Sequence, residues 1–196
     1  MPMALHITGD ERADQVLTAD PFALVVGMML DQQYPMEHAF RGPAKVLERF
    51  GTLDPAAIAG ADPEEFASLC ARPPAIHRFP GSMAARLQEL ARLVEERYDG
   101  RADRLWSDAT TGRELLRRVQ ELPGFGKQKA QIFVALLAKQ LDVRPEGWEA
   151  AVGAYAEDGY RSVADVVDPS SLQKVRDHKK QVKAAAKKAA AAGPVG

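Results

Sequence analysis

A five-residue segment with the sequence Leu-Pro-Gly-Phe-Gly, residues 122–126, has the clearest chemical potential in this chain. Proline and two glycines in so few residues predict a tight turn, and apolar residues at helical spacing on both sides predict that it joins two helices. Gly124 and Gly126 carry no side chain to block an approaching backbone. The free N–H groups and the dipole at the start of the second helix favour an anion such as a DNA phosphate, and Lys127 and Lys129 add positive charge. A plain helical corner is the alternative interpretation.

Two glutamines form a second candidate site. Gln32 and Gln33 end an apolar helix predicted over 22–33, and Tyr34 and Pro35 follow them. An amide at such a position has the right chemistry to fill the hole that an extruded base leaves in a duplex. A helix end with solvated amides is the alternative interpretation.

The string from Leu122 to Ala130, with one apolar helix before the turn and another after it, resembles the helix-hairpin-helix of the HhH-GPD superfamily of base-excision DNA glycosylases. The glutamines resemble the family's early glutamine motif, after which a loop enters the DNA. The order of elements is also similar, so the resemblance covers most of the chain. It implies an all-α, two-lobed fold, binding of double-stranded DNA, and these contact residues: Gln32, Gln33, Leu122, Pro123, Gly124, Phe125, Gly126, Lys127 and Lys129.

The resemblance also implies a catalytic carboxylate. Cleavage of a base from its sugar passes through an oxocarbenium-like transition state, which an ionised carboxylate stabilises. The family places an aspartate about 20 residues beyond the second hairpin glycine, where this chain has Glu146. Asp142 is the alternative. Trp148 and Tyr34 are the aromatic candidates for the base pocket.

Strand cleavage is not expected from this sequence. Bifunctional members of the family attack the sugar with a lysine just after the hairpin, and the matching position here is Gln128. An amide forms no Schiff base, so the resemblance implies a monofunctional glycosylase. Two alternatives stay open: a catalytically inactive DNA-binding member of the same fold, and a helical protein–protein interaction module.

Composition excludes several classes of site and partner. With 26 Lys and Arg against 27 Asp and Glu in 196 residues, the net charge is −1, which excludes a uniformly basic nucleic-acid coat. The single cysteine, Cys70, excludes an internal disulfide and the four-cysteine iron–sulfur cluster of one branch of the family. We expect no cofactor and no metal held by side chains. The resemblance permits a monovalent cation on the backbone carbonyls of residues 122–126.

The sequence predicts mainly helices around these candidate residues. Asp-Pro pairs predict helix starts at Pro21, Pro55 and Pro63, and apolar residues at helical spacing predict helices over 82–97, 111–122 and 127–141. No alternating strand pattern with a hairpin turn occurs, so the predicted class is all-α. The predicted domains are a bundle over 21–141 that ends in the hairpin, and a second lobe from 1–20 plus 142–196.

The C-terminal part of the second lobe is basic. Residues 174–188 contain seven Lys or Arg and one Asp, which predicts either a DNA contact or a solvated helix end. The loop 72–81, with His77, is better interpreted as a structural linker than as a DNA contact. With no evident signal peptide and a longest apolar stretch of nine residues, 22–30, we expect a cytoplasmic monomer without membrane contact, nucleoid-associated when bound to DNA.

Overall fold

The computed structural model describes residues 4–193, and every regular element within them is helical, which confirms the predicted all-α class. The α-helices are, in chain order, α1 Glu11–Ala19, α2 Pro21–Leu30, α3 Met36–Ala39, α4 Gly42–Phe50, α5 Pro55–Gly60, α6 Pro63–Ala71, α7 Pro80–Tyr98, α8 Arg104–Ser107, α9 Gly112–Gln120, α10 Lys127–Leu141, α11 Trp148–Val152 and α12 Pro169–Ala192. Two 3-10 helices, Gly153–Ala156 and Val163–Asp165, lie between α11 and α12.

Aspartates before proline start the helices as predicted. The Asp20 side chain accepts a hydrogen bond from the N–H of Phe22, and Asp62 accepts one from Glu65. Proline fits the first helical position because its missing N–H has no helical partner there. The end of α2 differs from the prediction: the helix stops at Leu30, and Gln33 adopts a left-handed backbone with φ 53°. The two glutamines therefore lie in a loop beyond the helix.

One continuous apolar core contains the central helices. Nine of the ten residues of α2 are buried, since a helix that is apolar on all sides must lie inside the protein. It packs on α1 and α4, which also contact each other. In α10 the buried residues include Phe133 and Leu137, and this helix packs on α9, α11 and the second 3-10 helix. The core thus holds the ends of α2 and α10 in fixed positions, and these ends carry both predicted motifs.

The division into lobes stays a prediction. The helix α7 packs on α5 and α6 within the predicted bundle, whereas α10 joins the bundle to the elements that follow it. The helix α1, assigned from sequence to the second lobe, packs on α2 and α4 of the bundle. The start of α12 packs on the body through Ser171 and Val175, and its residues from Lys180 to Ala192 are exposed.

Within residues 4–193, no single helix has the length and apolar character to span a bilayer. The helices α1 and α2 meet those criteria only as a pair, which is bent by 119°.

Candidate nucleic-acid interface

The hairpin turn between α9 and α10 is held from inside by two apolar side chains. Leu122 and Phe125 are 3% and 5% exposed, and the Phe125 ring packs edge-on against Phe133 at 6.0 Å between centroids. The N–H of Phe125 donates to the carbonyl of Leu122 at 3.1 Å. These two members of the predicted contact set therefore fix the turn in the core, and their side chains present no surface to DNA. The cation predicted on the turn carbonyls stays a prediction.

The two glycines of the turn have different roles. Gly124 has a left-handed backbone with φ 82°, and a Cβ there would lie 2.8 Å from Cδ of Arg86. Gly126 has an ordinary φ of −81°, and a Cβ there would meet no described atom within 4 Å. Gly124 is thus required by conformation and packing, whereas Gly126 keeps open the surface in front of the first N–H groups of α10. Pro123 lies half-buried beside them.

The two lysines that follow the turn also differ. Lys127 is exposed at the first position of α10, where an anion meets the positive end of the helix dipole. The Nζ of Lys129 instead donates to the carbonyl of Met29 at 3.0 Å and lies 5.7 Å from the centre of the Phe125 ring. Burial lowers the pKa of Lys129 to about 8. Lys127 is therefore available for a phosphate, while Lys129 connects the hairpin to α2.

Arg86 on α7 brings the hairpin and the glutamine loop together. Its Nη1 donates to Oε1 of Gln32 at 3.0 Å, and its stem lies against Gly124. Gln33 is exposed beside it. The predicted turn and the predicted glutamines therefore form one surface, although 90 residues separate them in sequence. Sequence reasoning missed Arg86, since nothing in its local pattern distinguishes it from the other arginines of α7.

His77 connects the loop 72–81 to the same surface. Its Nε2 lies 2.8 Å from the carbonyl oxygen of Gln32, and its Nδ1 accepts from the N–H of Phe79 at 3.0 Å. These bonds fit the neutral ring with its proton on Nε2, and burial lowers the pKa of His77. The bonds also hold Arg78 and Phe79, which is 49% exposed, beside the glutamine loop. The loop is a linker, as predicted, but one that positions an exposed aromatic ring at this surface.

A cleft of about 610 Å³ opens next to the hairpin and the glutamines. The end of α2 and the first turn of α10 form one side, and the first 3-10 helix and α12 form the other. Tyr34, the candidate from sequence for the base pocket, lines the cleft together with Gln33. The cleft is also lined by Gln128, whose Nε2 donates to the hydroxyl of Tyr155 at 2.9 Å. Tyr155 is a second aromatic residue of the cleft, and its position in sequence gave no signal for it.

A family model described as HhH-GPD superfamily base excision DNA repair protein matches residues 26–192. That span includes the glutamine loop, the hairpin, the cleft and all of α12. The chain belongs to this superfamily. Searches of curated proteins and of solved structures returned no match to it.

The carboxylates that the HhH-GPD resemblance suggested lie away from the cleft. The loop that carries Glu146 follows the far end of α10, a helix about 22 Å long. There the Glu146 carbonyl accepts from the N–H of Gly112 at 2.8 Å, and its carboxylate is exposed. Asp142 is exposed and pairs with Arg144 at 3.2 Å. Among the described residues that line the cleft, neither carboxylate is present. Both catalytic assignments stay predictions, and this geometry does not favour them.

Trp148 also lies at that far end. It is 7% exposed, and its backbone packs so closely on Gly112 that a Cβ there would lie 2.4 Å from the Trp148 Cα. Trp148 is therefore a core residue in this HhH-GPD protein, and it is not among the described residues that line the cleft.

The carboxylate that does line the cleft is Asp31, directly before the two glutamines. Its side chain is 10% exposed, and its Oδ2 lies 3.9 Å from Nζ of Lys179 on α12. Burial raises the pKa of Asp31, and the charges of Lys179 and Lys129 oppose that rise. Lys179 and Lys183 extend the basic face of α12 along the cleft.

Proposed function

We propose that this protein removes a damaged or mispaired base from double-stranded DNA, as a DNA glycosylase that hydrolyses the base–sugar bond and leaves the strand intact. The observation that carries the proposal is the junction of three features on one surface. An open, positively charged hairpin turn and a glutamine loop are joined through Arg86, and a cleft large enough for a nucleobase lies beside them.

Each feature has a distinct role on DNA. The N–H groups behind Gly126, with the charge of Lys127, hold a backbone phosphate and position the duplex without reading its sequence. The amide of Gln33 occupies the space left in the stack by the extruded nucleotide. The extruded base enters the cleft, where Tyr34 and Tyr155 supply aromatic faces.

The reaction in the cleft is hydrolysis. The C1′–N bond breaks with its electron pair on the base, and the sugar becomes cationic. Water adds to C1′, and the proton that it loses ends on the departing base. Gln128 stands where bifunctional relatives have a lysine, and its amide is bonded to Tyr155. No amine at that position can form a Schiff base, so the protein leaves an abasic site in an uncut strand. We further propose that it works as a monomer.

A second candidate is a DNA-binding member of the family without catalysis. The exposed position of Glu146 at the far end of α10, together with Gln128, favours this alternative. A helical module for protein–protein contacts is the third, and it predicts no DNA affinity even at low salt.

One set of assays separates the three. Single-turnover reactions use duplexes that each carry one alkylated, deaminated, oxidised or mismatched base, with alkali to reveal abasic sites. Anisotropy measures binding of the same duplexes at several salt concentrations. The proposal predicts salt-dependent binding and alkali-sensitive sites on at least one duplex. Binding without any abasic product supports the inactive DNA-binding protein, and absence of both supports the protein–protein module.

A further inference from the structure

The Asp31 carboxylate is largely buried, and few groups of the described residues stabilise its charge. Apart from the 3.9 Å ion pair with Lys179, its carboxylate accepts no hydrogen bond from residues 4–193. Buried carboxylates normally accept several hydrogen bonds, because loss of hydration is costly for a charged group. The Asp31 oxygens keep some exposure on the wall of the cleft, so they are available to a partner that arrives from the cleft.

That partner must be positively charged or a hydrogen-bond donor. Asp31 is the C-cap residue directly after α2, and Gln32 and Gln33 follow it in the same loop. A duplex whose gap is filled by the Gln33 amide has the sugar of the extruded nucleotide next to that gap. The carboxylate two residues away is then close to that sugar, on the cleft side.

We propose that Asp31, and not Glu146, is the catalytic carboxylate that stabilises the cationic sugar during base excision. This inference rests on the proposed glycosylase function and names the residue that acts in it. A carboxylate at Asp31 supplies the charge beside the hairpin of this HhH-GPD chain, whereas Glu146 lies at the opposite end of α10.

Charges from three other elements face Asp31. They are Lys129 of α10, Lys179 of α12 and Glu37 of α3, whose own carboxylate pairs with Arg176 at 3.0 Å. The two lysines favour the ionised form of Asp31, which burial disfavours. The N–O separation of 3.9 Å to Lys179 exceeds a hydrogen bond, so the carboxylate oxygens stay available to the substrate.

The step is balanced with water as the second reactant. The C1′–N bond breaks, its electron pair leaves with the base, and the ionised Asp31 faces the positive charge that develops on C1′ and O4′. The oxygen of water forms the new bond to C1′. One proton of that water goes to the departing base nitrogen, and Asp31 ends the cycle ionised as it began.

The test uses three full-length variants. Asp31→Asn removes the charge with almost no change of shape, Glu146→Gln tests the competing carboxylate, and Glu96→Gln, at an exposed site on α7, controls for net charge. The rate of excision is measured under single turnover on the best duplex. Binding is measured on two duplexes that need no lesion: one carries a cationic pyrrolidine in place of the sugar, and the other carries a neutral tetrahydrofuran.

The expected results are specific to Asp31. The wild-type protein prefers the cationic duplex over the neutral one, and Asp31→Asn loses that preference and at least roughly 100-fold in excision rate. The other two variants keep both. The melting temperature of Asp31→Asn stays at or above the wild-type value, because a neutral amide costs less to bury than a charged carboxylate. A purely structural role of Asp31 predicts a decrease in the melting temperature.

Two outcomes overturn the proposal independently of each other. If the wild-type protein binds both sugar analogues equally, no carboxylate faces the sugar. If excision occurs and Asp31→Asn retains its rate, another group does the chemistry. Absence of excision from every duplex would instead contradict the glycosylase function, and the preference for the cationic sugar would still report on Asp31.

Discussion

Substitution of the two hairpin glycines by alanine separates the DNA-binding role of the turn from its folding role. Gly126 has a φ of −81°, which any residue adopts, and a methyl group there points into open space within the described structure. Gly124 has a φ of 82°, and a methyl group there would press on the Arg86 side chain at 2.8 Å. The same chemical change therefore has opposite consequences two residues apart.

The expected magnitudes for Gly126→Ala follow from these contacts. Alanine reduces the freedom of the unfolded chain, a gain of about 0.4–1 kcal/mol, and the weaker preference for alanine at a helix N-cap offsets a similar amount. The free energy of unfolding should therefore change by less than about 1 kcal/mol. On DNA, the methyl group displaces the phosphate from the backbone N–H groups of α10. A hydrogen bond to a charged group contributes about 1.5–3 kcal/mol, so we expect Kd to rise roughly 10- to 100-fold.

Gly124→Ala should show the reverse order of effects. The left-handed conformation costs a non-glycine residue about 1–2 kcal/mol, and displacement of Arg86 adds to this. For a chain of this length that corresponds to a decrease in Tm of roughly 2–8 °C. The loss of DNA affinity at low temperature should be smaller than for Gly126→Ala, because the methyl group does not face the phosphate.

Thermal melts and anisotropy with an unmodified duplex at low salt measure both quantities on both variants. Wild-type affinity in Gly126→Ala, with a folded protein by melting, would refute the assignment of the phosphate to this turn. A large decrease in Tm for Gly126→Ala would refute the description of its surroundings as open.

Three further predictions concern charge and protonation. Lys127→Gln should reduce the magnitude of the slope of log association constant against log salt concentration by about one, because one phosphate contact is lost. The control Glu96→Gln should leave this slope unchanged. Equal slopes for Lys127→Gln and wild type would contradict a contact at Lys127. Borohydride with an abasic duplex should trap no covalent complex, since the Lys129 amine donates a hydrogen bond to the carbonyl of Met29. An adduct that disappears in Lys129→Met would instead show strand-cleaving chemistry by this lysine. His77 has a folded-state pKa below its ordinary value of 6.5, so its contribution to stability is complete above pH 6.5 and decreases as the pH falls toward the lowered pKa. Urea unfolding from pH 7.5 to pH 5 should show that the free energy of unfolding depends less on pH in His77→Gln than in the wild type. Identical pH dependences would exclude this contribution of His77 to stability.

Local turn and capping chemistry made most of the fold predictable. Proline and glycine determine where the hairpin turns, and α10 begins at Lys127 and ends at Leu141, as predicted. Asp20 and Asp62 cap their helices for the same local reason. The end of α2 was predicted three residues too late, because the loop after Leu30 is held by contacts that Arg86 of α7 and His77 make to Gln32, and these residues are distant in sequence.

The site was less predictable because its members meet only in three dimensions. The bond from Lys129 to Met29 spans 100 residues, and Asp31 meets Lys179 from the other end of the chain. The family motif also mixes residues that fold the turn with residues that face DNA, so Phe125 was predicted as a contact although it is buried. Counting 20 residues beyond Gly126 led to Glu146, but the short loop after α10 keeps that residue at the far end of the helix.

The most direct test of the proposed glycosylase activity is the identification of the bases that the protein releases from damaged genomic DNA. Genomic DNA that has been alkylated, deaminated or oxidised is incubated with the full-length protein, and mass spectrometry of the filtrate identifies free bases. We expect one modified base, or a few related ones, released in amounts equal to the abasic sites left in uncut strands. A filtrate without any free base, from DNA to which the protein binds in a salt-dependent manner, would contradict it.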